Sequence, residues 1–126
     1  MTESWYTSRT FIQTTKFEKD WKSLGFDDED LRQLELMIME NPEVGAMMQG
    51  TGGLRKMRFA FEGRGKSGST RVGYVDFAYY GTVFLLNAYS KDEKDNLSKS
   101  ERNEVKKLIT AIERHLKEQN GGKGNE

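Results

Sequence analysis

The chain carries 126 residues, among them 20 basic and 20 acidic side chains, one histidine and no cysteine. That length suits one domain with one modest core. The missing cysteines exclude disulfides, thiolate nucleophiles and cysteine-based zinc sites, and a lone His115 cannot build a metal cluster.

RTFIQT, at 9–14, mixes Thr, Phe and Ile and reads as a first short strand. Thr15 and Glu18 have capping-box spacing. The helix they would open repeats Phe17, Trp21 and Leu24 at helical intervals, and Gly25 stops it. Asp27 and Asp28 suit the start of a second helix, where acids favour the positive end of the dipole. Leu31, Leu34, Met37 and Ile38 stripe that helix, and Asn41-Pro42 ends it, because the residue before proline avoids the α region. GAMMQGTGG, at 45–53, reads as a loop. The period then changes to two: in LRKMRFAF, Met57, Phe59 and Phe61 point one way and Lys56, Arg58 and Ala60 the other. GRGKSGS is a second loop. TRVGYVDFAYY, at 70–80, is a second long strand, Gly81 a turn, and TVFLLNAYS, at 82–90, a third. Ser98 and Glu101 form a capping box for a last helix striped by Val105, Leu108, Ile109, Ile112 and Leu116.

The order is β-α-α-β-β-β-α. Three consecutive strands suggest an antiparallel meander, and helices confined to the two ends suggest an α+β fold, a small antiparallel sheet packed by helices. One domain is expected over 1–118, followed by a flexible tail, QNGGKGNE, at 119–126. No apolar run is long enough to span a bilayer, and MTESWYTSRT lacks the basic-then-apolar build of a signal peptide. A soluble cytoplasmic protein with no membrane partner is expected.

Charge separates along the chain. From Glu18 to Glu43, nine acidic residues stand against three basic ones; from Gly50 to Val72, six basic residues stand against Glu62 alone. The second segment is an electrostatic footprint for a polyanion or an acidic partner. Within it, AFEGRGKSG, at 60–68, nearly spells the phosphate-binding loop of nucleotide hydrolases. Such a loop leads straight into a helix whose first N–H groups cradle the phosphates. Here the following GSTRVGYVDFAYY is β-branched and aromatic, a poor helix. The stretch reads instead as a hairpin loop that carries Arg64 and Lys66 between strands carrying Lys56, Arg58 and Arg71. A merely solvated surface would more often mix signs.

Such cations suit RNA cleavage without histidine, metal or cofactor. The ribose 2′-OH loses a proton and attacks its own phosphate, the five-coordinate phosphorane gains negative charge, and the 5′ oxygen needs a proton to leave. Lys and Arg stabilise the developing charge directly. Crowded ammonium groups lower one another's pKa, which suits a lysine to the role of base. Arginine stays protonated and clamps phosphate. Lys91, Lys94 and Tyr89 are all candidates for protonating the leaving oxygen, and sequence does not rank them. Tyr74, Tyr79, Tyr80 and Tyr89 more often serve packing, and His115 belongs to the surface of the last helix.

NPEVGAMMQGTGGLRKMRFA, then GRGKSGSTRVGYV, then LLNAYSKDEKDNLSKSERNEVKKLI closely resembles the HigB-type branch of the RelE/ParE toxin superfamily, over about Phe11 to Leu116. The resemblance implies a RelE-like α+β fold, a type II toxin–antitoxin toxin, cleavage of messenger RNA on the ribosome, and inhibition by a cognate antitoxin, a HigA-like helix-turn-helix protein. It also implies a site. Lys56 and Arg58 match two basic residues on alternate positions of a strand, Arg71 matches an arginine opening the next strand, and Lys91, supported by Lys94, matches a basic residue after the last strand. Arg55, Arg64 and Lys66 are then auxiliary RNA contacts. No tyrosine follows Tyr89, so the tyrosine that RelE places near its C-terminus has no match, which leaves the general acid open. The superfamily also includes ParE-type gyrase inhibitors, and a non-catalytic basic RNA- or protein-binding module is a third reading.

Overall fold

The elements follow in the order β1 (Thr10–Gln13), α1 (Thr15–Ser23), α2 (Asp28–Glu40), β2 (Ala46–Met47), β3 (Arg55–Phe59), β4 (Thr70–Phe77), β5 (Thr82–Ser90) and α3 (Lys99–Gly124), with a 3-10 turn at Ala78–Tyr80. They are taken from a computed structural model that describes residues 8–60, 70–91 and 96–124. One five-stranded sheet has the order β1-β5-β4-β3-β2. As expected, β3, β4 and β5 form an antiparallel meander. β1 lies parallel to β5 at the far side, Phe11 opposite Val83 and Gln13 opposite Leu85. No helix among the described residues is long and apolar enough to cross a membrane.

Local chemistry explains the boundaries. Thr14, not Thr15, caps α1, its hydroxyl accepting from the Phe17 N–H at 3.0 Å. Thr14 is fixed from outside the helix: its N–H donates to the Leu85 carbonyl and its hydroxyl to that of Leu86 at 2.9 Å. The end of β1 therefore sets the cap, and the Thr15–Glu18 spacing goes unused. At the other end Gly25, with φ +87°, closes a Schellman motif: Phe26 N–H donates to Trp21 and Gly25 N–H to Lys22. Asp27 and Asp30 exchange the two bonds of a capping box on α2. Ser98 and Glu101 do the same before α3.

Three expectations shift. The 45–53 stretch contains the two-residue β2, paired with Arg55 and Lys56. The strand read to Tyr80 ends at Phe77, where the chain turns into the 3-10 segment. Helix α3 runs on to Gly124, through residues read as tail. Phe61 lies outside the described residues.

The sheet has two different faces. Against one, α1 and α2 pack Phe17, Trp21, Phe26, Leu34 and Ile38 onto Met57, Phe59, Val72, Tyr74, Val83, Leu85 and Ala88. Trp21 is the hub, its ring centre 4.5–5.3 Å from those of Phe17, Phe26 and Phe59. Against the other, α3 packs Ile109 and Leu116 onto Leu54, Val75, Phe77 and Leu86. The first strand is anchored by a bidentate pair, Arg9 to Asp76 at 2.7 and 3.2 Å, with both side chains about nine-tenths buried.

Candidate functional site

The strand register decides which cations meet. Arg58 lies directly opposite Arg71, and Arg71 directly opposite Tyr89. Lys56 lies opposite Gly73, and Gly73 opposite Asn87. Met57, Phe59, Val72, Tyr74 and Ala88 are committed to the α1/α2 core. By alternation, Lys56, Arg58, Arg71, Asn87 and Tyr89 occupy the α3 face. Opposed Cα atoms on neighbouring antiparallel strands are about 4.5–5.5 Å apart, and alternate residues along a strand about 7 Å. Lys56, Arg58 and Arg71 are therefore within side-chain reach of one phosphate. Lys91 follows β5 directly and is exposed.

Exposure grades across this cluster. Arg58 is exposed, Lys56 half-buried, and Arg71 only 7% exposed. Like charges directly opposed across strands destabilise a sheet. An anion seated between Arg58 and Arg71 reverses the sign of that interaction, and a guanidinium in a partly dry site binds phosphate more strongly than one in water.

Helix α3 covers only part of this face. Where its first turns leave the sheet, a cleft of about 180 Å³ opens, lined among others by Lys16, Leu54, Lys56, Gly73, Asn87 and Tyr89. Arg102 holds its wall in place, donating to the carbonyls of Leu97 and Gln49. Lys16 and Asn87 are absent from the cations and polar groups that the sequence singled out. Lys16 gets there because β1 pairs with β5 only as far as Leu85. Beyond it, Asp20 of α1 accepts the edge N–H of Ala88 at 3.0 Å and holds Lys16 at 3.1 Å. The i, i+4 spacing of Lys16 and Asp20 was the only available signal, and it does not say where the pair sits.

Arg55, expected as an auxiliary RNA contact, stands apart from the other cations. It shares the α1/α2 side with Tyr74, its cross-strand neighbour, and donates to the Gly45 carbonyl at 2.7 Å. Arg55 alternates with Lys56 and Arg58 along β3, so it leaves the strand on the side opposite to theirs. Tyr74 is wholly buried and structural: it donates to the Pro42 carbonyl at 2.7 Å and accepts from the Gly45 N–H at 2.9 Å. Burial pushes its hydroxyl pKa up. A Cβ on Gly45 would fall 2.9 Å from the Tyr74 ring, so the 42–45 turn needs glycine there. Tyr79 is 91% exposed at the 3-10 corner, and His115 is exposed on α3. Arg64, Lys66 and Lys94 lie outside the described residues. Among the described residues, the stretch at 60–68 is followed from Thr70 by strand β4 and not by the helix that a nucleotide phosphate loop leads into.

Solved structures of the E. coli toxin RelE share this architecture. A double arginine-to-alanine mutant in the free state gives a TM-score of 0.52 at 18% identity, covering 69% of this chain and 87% of that one. The isolated toxin gives 0.50 at 18% identity, covering 80% and 99%. At such identity the likeness speaks for the fold, a RelE-like α+β arrangement with a five-stranded, mostly antiparallel sheet. The family model described as the RelE toxin of the RelE/RelB toxin–antitoxin system matches residues 8–120. The chain thus belongs to the RelE toxin family, whose members act within toxin–antitoxin systems alongside a cognate antitoxin.

Proposed function

We propose that the protein is a ribosome-dependent messenger-RNA endonuclease of the HigB type, acting in the cytoplasm and neutralised by a HigA-like helix-turn-helix antitoxin. The observation that carries this reading is the register that sets Arg58 and Arg71 side by side with Lys56 on the same face. Arg58 and Arg71 clamp the scissile phosphate and stabilise the phosphorane. Lys56, on the same face as those guanidiniums, is the lysine placed to take the proton of the 2′-OH. The 2′ oxygen–phosphorus bond forms, the phosphorus–5′ oxygen bond breaks, and a cyclic phosphate and a 5′-hydroxyl result. The proton for the 5′ oxygen comes from Lys91, Lys94 or Tyr89. Only protein groups take part.

Growth arrest on expression without antitoxin tests the reading. Arg71→Ala and Lys91→Ala are each expected to relieve arrest while the purified variants keep a cooperative thermal transition. If both variants stay as toxic as the parent, the assignment is wrong.

A further inference from the structure

We infer that Asp20, on α1, is a positioning residue for the proposed nuclease site: it holds a bulge in β5 that turns Tyr89 toward Arg71. The inference rests on the nuclease reading above and extends it to a residue that aims the site without touching RNA. It starts from a break in the alternation of β5. Val83 and Leu85 pack into the α1/α2 core, and Phe84 and Leu86 into the α3 core, as a period of two requires. Continued, that period would send residues 87 and 89 to the α1/α2 side. Instead Ala88 joins the α1/α2 core, three positions after Leu85. The ladder with β4 locates the change. Tyr74 lies opposite Leu85, but its neighbour Gly73 lies opposite Asn87, so Leu86 is the extra residue. A slip of one residue exchanges the faces of everything beyond it. Without the bulge, Tyr89 would point to the core side and away from the Arg71 row. Re-aiming a side chain is what bulges beside active sites do.

The bulge needs support, because β1 pairs with β5 only as far as Leu85. The start of α1 supplies it. The Thr14 N–H donates to the Leu85 carbonyl at 3.1 Å, and its hydroxyl to the Leu86 carbonyl at 2.9 Å. Past the bulge, Asp20 Oδ2 accepts the Ala88 N–H at 3.0 Å, in the place of a strand carbonyl. Lys16 Nζ donates to both Asp20 oxygens at 3.1 Å and fixes the carboxylate. The run from Leu85 to Ala88 is thus held at both ends, and Tyr89 and Lys91 follow directly. Thr14 also caps α1, so replacing it would disturb the helix. The Asp20 side chain takes no part in that cap and is the cleaner probe.

The test measures kcat and KM for cleavage of a reporter message in a translating extract. Asp20→Ala is expected to lower kcat about tenfold or more while KM stays within about twofold, since a small misplacement of a reacting group is enough. Its cooperative thermal transition should persist. Asp20→Asn still offers Ala88 an acceptor and is expected to keep kcat within about threefold of the parent. In NMR spectra of the isolated chain, Asp20→Ala should speed exchange of the Ala88 amide and weaken the cross-peaks between Tyr89 and Arg71, and Asp20→Asn should do neither. If Asp20→Ala does not fold, Asp20→Ser, too short to reach Ala88 but still polar, is read in its place against the same expectations. Cleavage by the Ala or Ser variant at the parent's rate, or an Asp20→Asn variant as slow as Asp20→Ala, overturns the inference. The two arms separate it from the nuclease reading. A parent that never cuts, with cross-peaks that respond to Asp20→Ala as stated, refutes the nuclease alone. A parent that cuts no faster than Asp20→Ala refutes the positioning role alone.

Discussion

On the α1/α2 side of the sheet, Met57, Phe59, Val72, Tyr74, Val83 and Leu85 meet an aromatic cluster, and each is buried. On the α3 side, Leu54, Val75, Phe77 and Leu86 meet a helix, but Lys56, Arg58, Asn87 and Tyr89 lie where the helix does not cover the strand. The same strands make both surfaces. A period of two lets a strand be core on one side and carry the proposed site on the other, so that site rests on paired strands of the sheet. Rigid strands hold side chains more closely than loops do. The difference also separates two kinds of damage. Changes on the first face should cost stability, and changes on the second should cost activity.

The largest stability effect is expected from Phe59→Ala. Its ring packs against Trp21 and Phe26, and its loss should cost about 3–5 kcal/mol by chemical denaturation. Arg71→Ala should lower mRNA cleavage about 100- to 1000-fold, the usual effect of removing one group aimed at transition-state charge, as read by primer extension. Its folded population should stay near the parent's. Asp76→Ala leaves the largely buried Arg9 without its partner and should cost about 3 kcal/mol in a urea titration, with cleavage unchanged where the chain is folded. Tyr74→Phe should be milder, about 1–2 kcal/mol, because it removes only the hydroxyl that ties Pro42 and Gly45 to the sheet. A Tyr74→Phe variant that loses cleavage without losing stability would break the separation.

Much of this was legible in the sequence. Alternation in LRKMRFAF put Met57 and Phe59 inside and Arg58 outside, and Ser98 with Glu101 marked the start of α3. These are local signals, and local structure obeyed them. What escaped was set by distant contacts. The parallel pairing of β1 with β5 joins residues about seventy positions apart, and that pairing moved the α1 cap to Thr14. The bulge near Gly73 and Tyr74 shifts β5 by one residue, which places Asn87 opposite Gly73. No pattern within β5 announces that shift. Arg55 shows the converse: clustered in sequence with Lys56 and Arg58, it is separated from them by the pleat.

Arg55 and Arg58 therefore offer the sharpest contrast, two arginines of one strand on opposite faces of one sheet. Primer extension on a reporter message in a translating extract, run with Arg55→Ala and Arg58→Ala side by side, reads it directly. The expected result is that Arg58→Ala loses cleavage by about tenfold or more, while Arg55→Ala cuts as the parent does. Equal cleavage by both variants, or a greater loss in Arg55→Ala, would contradict a catalytic surface confined to the α3 face.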